Sequence, residues 1–218
     1  DIAFPEAILW DMDGTIIDSE EYWIVAETEL VELFGGSWTH DQGLALVGNG
    51  LGKTAEVLQN SGVTLTSDEI IQTLTTRVLE QLEVAIPWRP GAPELMHEFH
   101  LLGIPQAMVT MSIERMARTV ARLIPENPLT VVVAGDNVVN PKPDPEAYLR
   151  AAEDLGVNVA RCIAFEDSPA GCISASRASA FTIGVKNIVD LDSAPLDVYL
   201  QSLAGMSAED IISLAQDR

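Results

Sequence analysis

Apolar residues follow two rhythms along this chain, and the change between them divides it. Ala7-Ile8-Leu9-Trp10 is an unbroken apolar run that stops at Asp11. A run without alternation marks a strand covered on both faces, as in a parallel sheet. Between residues 18 and 85 no strand pattern follows. Instead Trp23, Ala26, Leu30 and Phe34 recur at helical spacing behind Asp18 and Ser19, which are N-cap types, and Gly35-Gly36 stops the helix. A second helix is predicted from Thr54 to Gln59. A third starts at Ser67, carries Asp68 and Glu69 where the helix dipole favours them, and aligns Ile71, Leu74, Val78 and Leu82 on one face.

The stiff stretch Pro87-Trp88-Arg89-Pro90-Gly91 suits a hinge, and beyond it helix and strand alternate. Helices are predicted from Ala92 to Leu102, Ile113 to Leu123, Pro145 to Leu155, Pro169 to Arg177 and Ala208 to Gln216. Strands are predicted from Ile104 to Val109, Leu129 to Ala134, Arg161 to Phe165 and Ala180 to Val185. Alternation of this kind builds βαβ units and a doubly wound parallel sheet with ligands at the carboxyl ends of its strands. The expected architecture is therefore α/β, a Rossmann-like core of residues 1–17 and 90–218 with an inserted helical-bundle cap of residues 18–89.

Composition narrows the class. A chain of 218 residues buries one substantial core and can carry a smaller inserted domain. The formal charge of -21 repels nucleic acid and anionic membranes, so neither is an expected partner. No charge-free run reaches the length of a membrane span, and the first residues lack a secretory signal pattern. Cys162 and Cys172 have no metal-ligand spacing and sit in apolar surroundings, which fits two buried thiols in a reducing cytoplasm. A cytoplasmic monomer is the expectation.

Chemistry concentrates where the strands end. The first strand runs into Asp11-Met12-Asp13-Gly14-Thr15, the second into Thr110-Met111-Ser112, and the one from Arg161 into Glu166-Asp167. Asp-x-Asp-Gly is also a turn sequence, and a calcium loop begins similarly; the latter needs further oxygen ligands where Ile16 and Tyr22 stand. Lys142 lies between Pro141 and Pro143 after the third strand. Carboxylates from different strands form an oxygen-only site of the kind Mg²⁺ prefers. Lys142 and the Thr110 hydroxyl would then hold a phosphoryl group.

With Asp11 to Thr15, Thr110, Lys142 to Pro145, and Glu166-Asp167 in F-E-D-S-x-x-G appearing in this order, the chain resembles the haloacid dehalogenase superfamily, in particular its members with a helical cap after the first strand. The resemblance covers essentially the full length. It implies a Mg²⁺-dependent phosphatase in which Asp11 attacks phosphorus and forms an aspartyl phosphate, while Asp13 protonates the leaving oxygen and then activates water. The metal would sit on Asp11, Asp167 and the Asp13 carbonyl, with Glu166 as a support or water-mediated ligand. The resemblance further implies that Gly14 lets the backbone turn and that the amides around Met12, Asp13 and Met111, with Ser112 beside them, would cradle phosphoryl oxygens.

The expected substrate is a small phosphorylated metabolite, a sugar phosphate among the candidates. A phosphomutase of the β-phosphoglucomutase type is the alternative, and a catalytically silent binder of phosphorylated metabolites is a third. Mutases of this kind resemble the chain less where Trp23 and Leu51 replace a histidine and an arginine, which favours hydrolysis. From the cap, Lys53 and Trp23 are candidates for substrate contact, set against a solvated lysine and a cap-core tryptophan. Gly48 to Thr54 is not a nucleotide-binding P-loop, because Val47 occupies the position of its first glycine. His97 and His100 have no acidic partner in sequence and are expected to face solvent, while Asp136 either lines the entrance or makes a turn.

Overall fold

The computed structural model describes residues 4–217 and divides the chain into two compact units, Asp1–Ile17 with Trp88–Arg218, and Asp18–Pro87. The first holds a six-stranded sheet: β1 (Ala7–Trp10), β2 (Gln106–Val109), β3 (Leu129–Val133), β4 (Cys162–Glu166), β5 (Phe181–Val185) and β6 (Val198–Leu200). All neighbours are parallel and the order is β3-β2-β1-β4-β5-β6. Strand order therefore reverses beside β1, between β1 and β4, and a doubly wound sheet opens its ligand crevice at such a point. The register sets Trp10 against Phe165, so the next residues along, Asp11 just past β1 and Glu166 at the end of β4, stand side by side.

The apolar run of β1 is buried along its whole length because helices lie on both faces of the sheet. They are α5 (Ala92–Leu101), α6 (Glu114–Leu123), α7 (Glu146–Leu155), α8 (Pro169–Arg177) and α9 (Ala208–Gln216). Burying each large apolar side chain contributes roughly 1.5–3 kcal/mol. Trp10 stacks on Phe165 at 4.4 Å between ring centroids, and its indole N–H donates to Gln106 Oε1 at 2.9 Å. Gln106 in turn donates to the Met96 carbonyl at 2.9 Å, so this buried amide ties β1, β2 and α5 together.

The second unit contains α1 (Glu20–Leu33), α2 (His40–Leu44), α3 (Leu51–Asn60) and α4 (Ser67–Val84). Arg77 on α4 pairs with Glu29 on α1 at 2.7 Å, and Gln81 donates to the Tyr22 carbonyl at 2.9 Å. The buried stripe of α4 is Ile70, Leu74, Val78 and Leu82. Ile70 thus takes the place of the expected Ile71, in line with the i, i+4 spacing of Leu74, Val78 and Leu82, and Thr66 caps the helix in a capping box with Glu69.

Other differences from the sequence pattern have local causes. Helix α3 starts at Leu51, ahead of Thr54, with Gly50 as its N-cap. Helix α2 is five residues long, too short for periodicity, and forms on the capping box of Thr39 and Gln42. Ser19 makes no side-chain cap and Phe34 is an exposed C-cap. Strand β6 is three residues long, too short to show a period, and follows Asp190, Asp192, Pro195 and Asp197; its pairing with β5 completes it. Trp88 bridges Ile17, and Arg89 N donates to the Ile16 carbonyl at 2.8 Å, so residues 88 and 89 belong to the sheet-bearing unit, not to the helical one.

Candidate active site

Asp11 leaves the tip of β1 and is 8 % exposed. Lys142 Nζ donates to Asp11 Oδ1 at 2.9 Å, to Glu166 Oε1 at 2.6 Å and to the Val109 carbonyl at 2.8 Å. An ammonium has three protons, and all are committed here. Thr15 Oγ1 lies 3.2 Å from both Asp11 Oδ2 and Asp167 Oδ1, so one hydroxyl serves two carboxylates. Asn187 Nδ2, just beyond β5, reaches Asp167 Oδ2 at 3.5 Å.

Two glycines are required by this crowding. Gly14 has φ +85°, and a Cβ there would stand 1.9 Å from Asp167 Oδ2 and 2.8 Å from Asn187 Nδ2. A Cβ at Gly171 would stand 1.9 Å from Glu166 Oε2. The first glycine also supplies the left-handed turn that brings Asp13 back toward the sheet end.

Asp13 is held by a different element. Ser112 Oγ, beyond β2, donates to Asp13 Oδ2 at 2.6 Å. Thr110 Oγ1 accepts from Ser112 N at 3.1 Å, and Gly135 N donates to the Ser112 carbonyl at 2.9 Å. Gly135 packs so closely that a Cβ would meet the Met111 carbonyl at 2.3 Å. Met111 Sδ accepts from Lys142 N at 3.3 Å. Residues 110–112 therefore connect the acid Asp13 to the lysine loop. Asp136 accepts from Glu114 N at 2.8 Å and so caps the start of α6.

Electrostatics follow from burial. Desolvation pulls Lys142 down, but the charges of Asp11 and Glu166 outweigh it and hold the ammonium above its ordinary range. Burial, and then the Asp11 charge, pushes Glu166 up to about 7. The same two causes raise Asp167 well above the usual carboxylate range.

Asp11, Glu166 and Asp167 each bring an oxygen within 4.8 Å of the others. Lys142 pairs with two of the three carboxylates, Asp11 and Glu166, and buried Glu166 Oε2 has no hydrogen-bond partner. An all-oxygen set with surplus negative charge fits a hard divalent cation, which would favour the ionised forms that burial opposes.

The structure thus brings Asp11, Asp13, Gly14, Thr110, Met111, Ser112, Lys142, Glu166 and Asp167 to one end of the sheet. Trp23 and Lys53 belong to the helical unit. Trp23 is 8 % exposed, and Lys53 is exposed and pairs with Glu56 at 3.6 Å. His97 and His100 are exposed as expected, yet both find an acidic partner in Glu126, which arrives after α6. Tyr148, Asn187 and Gly135 are absent from the sequence-based expectations, and Thr15 and Gly171 enter them only as motif positions without a role. Thr15 sat inside the Asp-rich motif and Tyr148 six residues after Lys142, whereas Asn187 carried no signal at all.

A model of haloacid dehalogenase-like hydrolases matches residues 8–185. Hexitol phosphatase A of Escherichia coli is 31% identical over 206 residues, spanning 91% of this chain and 91% of that protein. A phosphorylated carbohydrates phosphatase of Thermotoga maritima is 31% identical over 178 residues, spanning 79% of this chain and 81% of its own length. Among solved structures, CbbY from Rhodobacter sphaeroides in complex with xylulose-(1,5)bisphosphate is similar with a TM-score of 0.83 and 26% identity, covering 95% of this chain and 99% of that one.

Proposed function

The chain belongs to the haloacid dehalogenase-like hydrolase family, and we propose that it hydrolyses the phosphate ester of a small phosphorylated carbohydrate through an aspartyl phosphate on Asp11. One observation carries the reading. A buried aspartate ion-paired to a lysine lies two residues before a second aspartate that a serine holds separately. Equivalent acids would serve one role; these two have different partners.

The Asp11 carboxylate attacks phosphorus, the ester P–O bond breaks, and Asp13 gives its proton to the departing alkoxide oxygen. Asp13, now a carboxylate, takes a proton from water as the water oxygen attacks phosphorus, which frees inorganic phosphate and restores Asp11. Ser112 holds the Asp13 carboxyl through both steps by donating to Oδ2. Lys142 sits against Asp11 and offers its charge to the phosphoryl oxygens. Asp11, Asp167 and the Asp13 carbonyl would hold Mg²⁺, with Glu166 behind them. The ion would supply positive charge against the phosphoryl group.

Both relatives named for carbohydrate phosphates support the substrate class. The free, buried thiols of Cys162 and Cys172 suit a cytoplasmic setting, and among the described residues no helix is long and apolar enough to cross a membrane. The test is phosphate release from a panel of sugar and sugar-alcohol phosphates with Mg²⁺. The wild type is expected to turn over at least one of them, and Asp11→Asn none while remaining folded. Residual turnover in that variant would sink the covalent route. Dependence on a sugar bisphosphate with little phosphate release would replace hydrolysis by mutase chemistry.

A further inference from the structure

We propose that Tyr148 is a positioning residue for Lys142, fixing where its ammonium points through the aromatic ring and, by way of Glu166, through the hydroxyl. The inference rests on the reading of Lys142 as the side chain that meets the phosphoryl group. Lysine is a flexible four-carbon stem ending in a point charge, and this one stands on a loop. Something rigid has to aim it.

Tyr148 is rigid and close. Its side chain is fully buried, so it cannot touch a substrate, and it belongs to the buried cluster that also holds Ala7 and Leu9 of β1, Val109 of β2 and Ala164 of β4. Lys142 Nζ lies 5.2 Å from the ring centroid, a cation–π distance. The Tyr148 hydroxyl donates to Glu166 Oε1 at 2.5 Å, and that same oxygen accepts from Lys142 at 2.6 Å. On its other side Glu166 is confined by Gly171, where a Cβ would reach 1.9 Å from Oε2. Glu166 therefore has no room to follow a wandering lysine. Helix α7 begins four residues after Lys142, so one short segment delivers both the cation and the ring beneath it.

A core tyrosine that merely satisfies its hydroxyl predicts a loss of stability and nothing specific to the lysine. The two are separated by a double-mutant cycle of Tyr148→Phe and Lys142→Ala, read by steady-state kinetics and by calorimetric binding of inorganic phosphate with Mg²⁺. In the native background Tyr148→Phe is expected to lower kcat about tenfold with KM changed less than about twofold, and to weaken phosphate binding several-fold. In the Lys142→Ala background the same change is expected to leave phosphate binding unaltered. Tyr148→Met, which lacks ring and hydroxyl but retains bulk, gives the same comparison if the phenylalanine variant does not fold. Equal losses in both backgrounds, or no loss in either, overturn the proposal. If Lys142→Ala itself binds phosphate as the wild type does, the underlying reading of the lysine falls. If it binds poorly while Tyr148→Phe behaves as wild type, only the role of Tyr148 falls.

Discussion

Glu27 is a carboxylate that the helical unit hides, and its burial makes a testable demand on stability. It lies on α1, 4 % exposed, and burial followed by the charge of Glu20 pushes its pKa from 4.5 up to about 8. Trp38 lies near enough to favour the ionised form slightly, yet neither Glu27 Oε1 nor Trp38 Nε1 completes a hydrogen bond. The folded protein therefore holds this proton more tightly than the unfolded chain does. Where the folded state binds more protons, stability falls as pH rises. The contribution is fully present below about pH 4.5 and is lost through about pH 8. Each pH unit inside that window costs about 1.4 kcal/mol, so about 3 kcal/mol is gone by pH 7.

Glu27→Gln keeps the shape and removes the titration. Urea unfolding of both proteins at pH 5, 6, 7 and 8 gives the difference in stability at each pH, and every other titrating group cancels in that difference. The variant is expected to gain on the wild type steadily, by about 3 kcal/mol in all between pH 5 and pH 8. A difference that stays constant across those four values would show that Glu27 is as ionised in the folded state as in the unfolded one, and would refute the argument.

Gly14→Ala combines a left-handed φ of +85° with a Cβ 1.9 Å from Asp167 Oδ2, and should abolish phosphate release while costing about 1–3 kcal/mol of stability by thermal unfolding. Ser112→Ala removes the 2.6 Å bond to Asp13 and should lower kcat about ten- to a hundredfold, with the melting temperature little changed; an unaltered kcat would deny Ser112 any part in holding the acid. Treatment with a chelator should stop turnover and added Mg²⁺ should restore it, whereas activity that survives thorough chelation would remove the metal from the reading.

What the sequence displays and what it conceals differ for a physical reason. Asp11, Thr110 and Asp167 stand directly after strands whose apolar runs are legible, with Glu166 the last residue of its strand, and the parallel order of the sheet brings strand ends together whatever the helices do. Lys142 is legible only through its prolines, because a loop has no periodicity. The residues that restrain these groups are ordinary in sequence. Tyr148 looks like one more buried position on the apolar face of α7 beside Ala147, Ala151 and Ala152. Its hydroxyl acquires a role only because Glu166, on a strand eighteen residues later, is aimed at it. Gly171 is visible in the sequence only as the last position of F-E-D-S-x-x-G, and its physical reason is Glu166 Oε2, which fills the space of its absent Cβ. The same holds for Asp136, whose partner amide belongs to a helix that starts twenty-two residues earlier. A catalytic carboxylate can be found from the strand that carries it. The side chain that keeps its lysine aimed is found only from contacts between elements, and the double-mutant cycle on Tyr148 and Lys142 measures such a contact.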